Sequence, residues 1–183
     1  MARTIPIDPI LEKGYNVRLL VEDFDGLIEK WSNRSEKFRE TVDSSLDCQY
    51  GNGEKDKLDI FRCGKPNAPL FIFVHGGYWQ RGDKSVYSFV AESFVSSGID
   101  VALIGYQLCP SASMTNIVDK IREAVIWIWN NADDYAISKN RINVSGHSAG
   151  GHITGMILAT DWKEISEELP SDIVKTGIPI SGL

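Results

Sequence analysis

Apolar positions along this chain recur in a helical rhythm and in a strand rhythm, and the order of the two lays out the elements. Phe24, Leu27, Ile28, Trp31 and Phe38 fall near helical spacing between Asp23 and about Thr41, with charges between them. That spacing predicts one amphipathic helix, with a kink allowed near Asn33, placed either as part of a lid or as a brace. Residues 1–22 contain Pro6, Pro9 and Gly14 without a period and read as an irregular arm. Leu46–Tyr50 alternates, Gly51, Asn52 and Gly53 make a turn, and Lys57–Phe61 alternates again, which predicts an antiparallel hairpin.

After the loop from Gly64 to Pro69 the pattern changes. Leu70–Val74 is apolar without alternation, as expected of a strand covered on both faces. Val86, Phe89, Val90, Phe94 and Val95 predict a helix over 84–97 that Gly98 stops. Val101–Ile104 is a second buried run, and residues 113–131 are a helix with Ile117, Ile121, Ala124, Val125 and Ile128 on one face. Ile142–Val144 is a short strand, 148–160 a helix, and Val174–Ile180 a last strand. This alternation predicts an α/β fold, a mostly parallel sheet with helices on both faces. No repeat or boundary interrupts it, so residues 1–183 read as a single domain, with 1–45 as its arm and first helix.

Composition narrows the function classes. The 183 residues are 43% hydrophobic and 24% charged, an ordinary globular balance. The net charge of −6, with Lys and Arg scattered, argues against nucleic acid as a partner. No apolar run is long enough for a membrane helix, and the first residues lack the basic-then-apolar pattern of a signal peptide, so a cytoplasmic location is expected. Cys48, Cys63 and Cys109 are too far apart for a C-x-x-C, so neither a zinc site nor a disulfide framework is expected. Self-association as a homodimer is left open.

Chemistry concentrates in two short stretches. Gly146, His147, Ser148, Ala149 and Gly150 form G-x-S-x-G between a strand candidate and a helix candidate. Such a turn exposes a serine nucleophile at the carboxyl end of a sheet, and glycines must flank it because side chains there would clash. The alternative is a glycine-rich turn without catalysis. His75, Gly76, Gly77, Tyr78 and Trp79 follow directly on the apolar run ending at Val74. Acyl transfer builds negative charge on a carbonyl oxygen, and the amides of Gly76, Gly77 and Ala149 are the expected donors to it. His75 is expected to support this loop by hydrogen bonding. Tyr78 and Trp79 either line the acyl side of a pocket or, for Trp79, pack in the core.

With Gly105–Pro110, Gly146–His152, Thr160–Trp162 and Ile180–Leu183, these stretches resemble the arylformamidase (kynurenine formamidase) branch of the α/β-hydrolases, relatives of the hormone-sensitive-lipase-like esterases. The likeness runs from about Tyr15 to the last residue. It implies an α/β-hydrolase fold with an N-terminal antiparallel hairpin, and hydrolysis of the formamide of N-formyl-kynurenine to kynurenine and formate with no cofactor or metal. A carboxylesterase acting on small esters, and a non-catalytic binding protein of the same fold, are the alternatives.

A serine nucleophile needs a base oriented by an acid. His147 and His152 are poorly placed by their positions in the elbow and its helix, and His152 is expected to pack against the sheet. Asp161, Glu164, Glu167, Glu168 and Asp172 read as a solvated surface. In the resembled family the acid and histidine lie beyond the position of Leu183. The expectation is therefore a C-terminally truncated sequence without its last strands, short by about 80–110 residues, at best marginally stable and nearly inactive.

Overall fold

The computed structural model describes residues 6–183, without the side chain of Val17; the first five residues of the expected arm lie outside it. The rest of that arm is ordered as a short helix, α1 (Pro9–Tyr15), and a 3-10 turn, Val17–Leu20. No period foretells α1 because packing does not make it. Asp8 caps it by accepting from the Ile10 and Leu11 amides, Pro9 opens it, and none of its residues is buried.

A six-stranded mixed sheet follows, made of β1 (Ser44–Gln49), β2 (Lys57–Phe61), β3 (Ala68–Val74), β4 (Asp100–Ile104), β5 (Ile137–His147) and β6 (Val174–Ile180). Its order is β1-β2-β4-β3-β5-β6. β1 and β2 form the expected antiparallel hairpin, β2 runs antiparallel to β4, and β4, β3, β5 and β6 are parallel. The chain moves one way from β3 to β4 and comes back to the other side of β3 at β5. The strand order therefore reverses at β3 and β5, and open α/β sheets place their ligands at the carboxyl ends of such a switch point. β6 is an outer strand, and its Ile178 and Ile180 are exposed.

Helices cover both faces. α4 (Met114–Asn131) starts at a Ser113–Asn116 capping box and buries Ile117, Ile121, Ala124, Val125 and Ile128, the face its spacing predicts. With α5 (Ala149–Leu158) it closes the larger core over Leu70, Ile72, Val74, Ile142 and Val144. Full burial of each such aliphatic side chain contributes roughly 1.5–3 kcal/mol. On the opposite face, Phe61, Phe73, Val101 and Leu103 meet α2 (Phe24–Thr41) and α3 (Ala91–Ser96).

Two elements differ from their expected form. The helix expected over 84–97 is a 3-10 helix, Lys84–Val90, followed by α3. Side chains of α2 take over its backbone groups: the Ser35 hydroxyl donates to the Val86 carbonyl at 2.7 Å and accepts from the Phe89 amide at 3.0 Å, and Arg39 donates to the Ser85 carbonyl. α2 is thus a brace on this segment, helical from end to end without a break at Asn33. β5 begins five residues before Ile142, because its first part, Ile137–Arg141, is largely polar and hides the strand pattern.

A buried ion cluster ties the 3-10 segment to the hairpin. Lys84 Nζ lies 2.6 Å from Asp59 and 2.8 Å from Asp47, with Lys84 and Asp59 both buried. Burial pushes the Lys84 ammonium down, and the Asp59 and Asp47 carboxylates outweigh it, so the group is held above its ordinary range. Lys84→Met should destabilise the protein by about 3–5 kcal/mol, since Asp59 would keep a buried charge without its partner. Urea unfolding measures this, and an additional Asp59→Leu change should recover much of the loss.

Candidate active site

Ser148 sits where β5 ends and α5 begins, with φ +57° and ψ −117°. A non-glycine residue holds such a conformation only where its surroundings over-determine it. Here the Ser148 amide donates to the Ile180 carbonyl at 2.8 Å, and the Ser148 carbonyl accepts from the His152 amide at 3.0 Å. A Cβ at Gly146 would overlap the Gly150 backbone, and one at Gly150 would overlap the Val74 carbonyl. Both glycines are buried where strand, turn and helix touch, so the flanking positions of the motif are steric necessities. Ser148 is half-buried, its hydroxyl makes no hydrogen bond to any described residue, and it lies at the positive end of α5.

The glycine loop lies against this elbow. A Cβ at Gly76 would come within 3.3 Å of Ser148 Cβ and 2.7 Å of the His147 carbonyl. Gly77 has φ +122°, and its carbonyl accepts from the amides of both Gln80 and Arg81, which turns the chain back. The amides of Gly76, Gly77 and Ala149 donate to no acceptor among the described residues. The acceptor-free amides of Gly76 and Ala149 thus flank the strained Ser148, and that of Gly77 follows one residue along the loop. That arrangement can hold a developing oxyanion.

His75 is buried behind the loop, and its Nδ1 lies 2.7 Å from the Gly76 carbonyl. A carbonyl only accepts, so Nδ1 carries the proton. Burial pushes the His75 imidazole down to about 4, so it is neutral at ordinary pH and serves as a fixed donor. Its ring lies parallel to Tyr106 at 4.4 Å and to Tyr87 at 5.8 Å. Gly82 leaves room for it, as a Cβ there would come within 2.8 Å of Nδ1.

Tyr78 and Trp79 both adopt left-handed backbone, with φ of +55° and +56°. Tyr78 is 61% exposed. Trp79 is half-buried against the larger core, and its carbonyl accepts from the Cys109 amide at 2.7 Å. His152 meets the Trp79 ring edge-on at 5.3 Å, so it packs on the loop instead of the sheet. Four residues place it one helical turn above Ser148, facing the same way as the loop. His147 is exposed beside Gly76. No described histidine hydrogen-bonds to the Ser148 hydroxyl.

The acidic stretch after α5 is exposed as expected, with Asp172 paired to Lys175 at 2.6 Å. Asp161 has a structural part that the pattern did not reveal. It caps a one-turn helix, α6 (Trp162–Ile165), which inserts Trp162 into the core. Among the described residues, no group of three His, Cys, Asp or Glu side chains is arranged to hold a metal ion. No described helix is long and apolar enough to cross a membrane. Sequence reasoning passed over Tyr87, Tyr106 and Gly82 around His75. The available signal was Gly105-Tyr106 after a buried strand, with Gly105 in the strand–loop position that His75 holds after β3 and Tyr106 one residue further.

Comparison with known proteins places this geometry. The BD-FAE family model matches residues 58–175, which hold both the glycine loop and the elbow. Kynurenine formamidase of Danio rerio is 32% identical over 148 residues, 79% of this chain and 49% of that protein. A candidate thioesterase from Silicibacter sp. TM1040 superposes with a TM-score of 0.80 at 33% identity, over 94% of this chain and 63% of that one. A hyperthermophilic esterase from Pyrobaculum calidifontis shares the fold with a TM-score of 0.69 at 20% identity, over 97% of this chain and 58% of that one. The chain spans about half the length of the curated formamidase it matches. Strained serine, glycine loop, sheet order and these likenesses agree: the chain belongs to the BD-FAE family and has an arylformamidase-like α/β-hydrolase fold.

Proposed function

We propose that the protein is a serine hydrolase that cleaves the formamide of N-formyl-kynurenine, releasing kynurenine and formate. The observation that carries this is Ser148 at φ +57° on a strand-to-helix elbow, with the acceptor-free amide of Ala149 next to it and the glycine loop, whose Gly76 and Gly77 amides also lack an acceptor, packed on it at Gly76. Ser148 Oγ attacks the formyl carbon and its proton passes to a general base. The oxyanion rests on the three amides, the C–N bond breaks as the base returns the proton to the leaving amine, and water then releases formate from the acyl-serine. No described histidine side chain hydrogen-bonds to the Ser148 hydroxyl, and the related formamidase is about twice as long. The base and its orienting acid therefore belong, in this reading, to protein outside these 183 residues. The reading carries with it a small-molecule substrate, a cytoplasmic setting and no membrane partner, and the net charge of −6 argues against nucleic acid.

The same elbow and loop would serve an ester equally well, since the oxyanion is the same, and the solved neighbours include an esterase. Substrate comparison separates the two. The full-length protein should show the higher kcat/KM on N-formyl-kynurenine than on a p-nitrophenyl ester. Turnover of the ester alone would defeat the formamidase reading and leave the carboxylesterase.

A further inference from the structure

In a trans peptide unit the carbonyl and the following N–H share one plane and point in opposite directions. Whatever holds the carbonyl therefore aims the N–H. The Gly76 N–H shares its plane with the His75 carbonyl, and the Gly77 N–H shares its plane with the Gly76 carbonyl. Both carbonyls are held. The Tyr106 hydroxyl donates to the His75 carbonyl at 2.8 Å, and His75 Nδ1 donates to the Gly76 carbonyl at 2.7 Å.

We propose that Tyr106 is a positioning residue of the oxyanion hole: its hydroxyl, acting through the His75 carbonyl, aims the Gly76 N–H at the reacting carbonyl on Ser148. The inference rests on the serine-hydrolase reading above and names a residue that reading does not use. Packing alone does not require this hydroxyl. Tyr106 is 1% exposed with its ring stacked on His75, and a phenylalanine would fill the same space. A hydroxyl buried there costs free energy unless it is bonded, and the His75 carbonyl is the acceptor it meets. Burial pushes the Tyr106 phenol up, so it remains a donor at any working pH. The segment carrying it is itself anchored. The Tyr50 hydroxyl donates to the Gly105 carbonyl at 2.7 Å, and the Gly105 amide donates to the Lys57 carbonyl at 2.9 Å. The hairpin thereby holds Gly105 by two hydrogen bonds, and the adjacent Tyr106 extends that anchorage to the oxyanion loop through a third.

Tyr106→Phe in the full-length protein tests this, because it removes the hydroxyl and keeps the stacked ring. The expected result is a kcat about 10–100-fold lower, part of what loss of a whole oxyanion donor costs. KM should stay within about twofold, because ground-state binding does not use the aimed amide. Affinity for a boronic acid that forms a tetrahedral adduct on Ser148 should fall by the same factor as kcat. The NMR resonance of the Gly76 amide should move while the melting temperature falls by only a few degrees, the cost of leaving the His75 carbonyl without its donor; a packing role, which the retained ring still fills, would move neither the amide nor kcat. An unmoved Gly76 amide, an unchanged kcat, or a kcat loss without a matching boronate loss would overturn the inference. Ser148→Ala run alongside keeps the two layers apart. Its retained turnover would overturn the serine reading beneath, whereas its inactivity with an unaffected Tyr106→Phe overturns only the part given to Tyr106.

Discussion

Ser148→Ala in the full-length protein should lower kcat on the order of 10⁶-fold and leave the fold intact. Nucleophile and base act as a unit, so removing either one forfeits nearly all the covalent route. What survives is the contribution of the oxyanion amides and of substrate binding. Stability should hardly change. The Ser148 hydroxyl makes no hydrogen bond to a described residue, and alanine meets the same backbone constraint at φ +57° as serine does. A melting temperature within about 2 °C of the parent is expected. The measurement is steady-state turnover beside a thermal melt; a variant that keeps its activity would remove Ser148 from the mechanism.

Gly150→Ala should destabilise the protein severely, although it improves the intrinsic preference of a helical position. Alanine is favoured over glycine inside a helix by roughly 1 kcal/mol. Against that, the added Cβ would overlap the Val74 carbonyl and approach the His75 carbonyl to 2.8 Å. Both obstacles are backbone atoms at the end of β3, a strand paired on both sides, so neither can rotate away. Overpacking a rigid site costs about 3 kcal/mol or more and outweighs the propensity. Gly155 provides the contrast on the same helix. It is exposed, with nothing within 4 Å of a Cβ, so Gly155→Ala should stabilise by about 0.5–1 kcal/mol. Urea unfolding of the two variants should give shifts of opposite sign. Equal shifts would mean that the elbow tolerates movement which this geometry denies it.

Those two glycines show why some of the molecule is legible from residue order and some is not. The period of α4 is visible because a single buried face repeats along it, and each apolar residue on that face ends in the larger core. Leu70–Val74 and Val101–Ile104 are visible as uninterrupted apolar runs because helices cover both faces of the sheet. The elbow is visible because its flanking positions accept only glycine. α1 and the first part of β5 leave no such mark. One is made by an end cap and the other is largely polar, so neither produces an apolar period. The 3-10 form of Lys84–Val90 is decided by Ser35 and Arg39, about fifty residues earlier in the chain.

The candidate site divides in the same way. Local sequence by itself determined the strand-to-helix turn at Ser148 and the glycine loop at Gly76 and Gly77, because each is a steric solution confined to about five consecutive residues. Only the tertiary structure packed the glycine loop so closely on the elbow that a side chain at Gly76 would meet Ser148, recruited Lys84 and Asp59 into one buried cluster, and laid Tyr106 on His75. These contacts join residues 25 to 72 positions apart. Their geometry depends on strand order and on how far each neighbouring strand has risen through the sheet, quantities that no short run of residues contains.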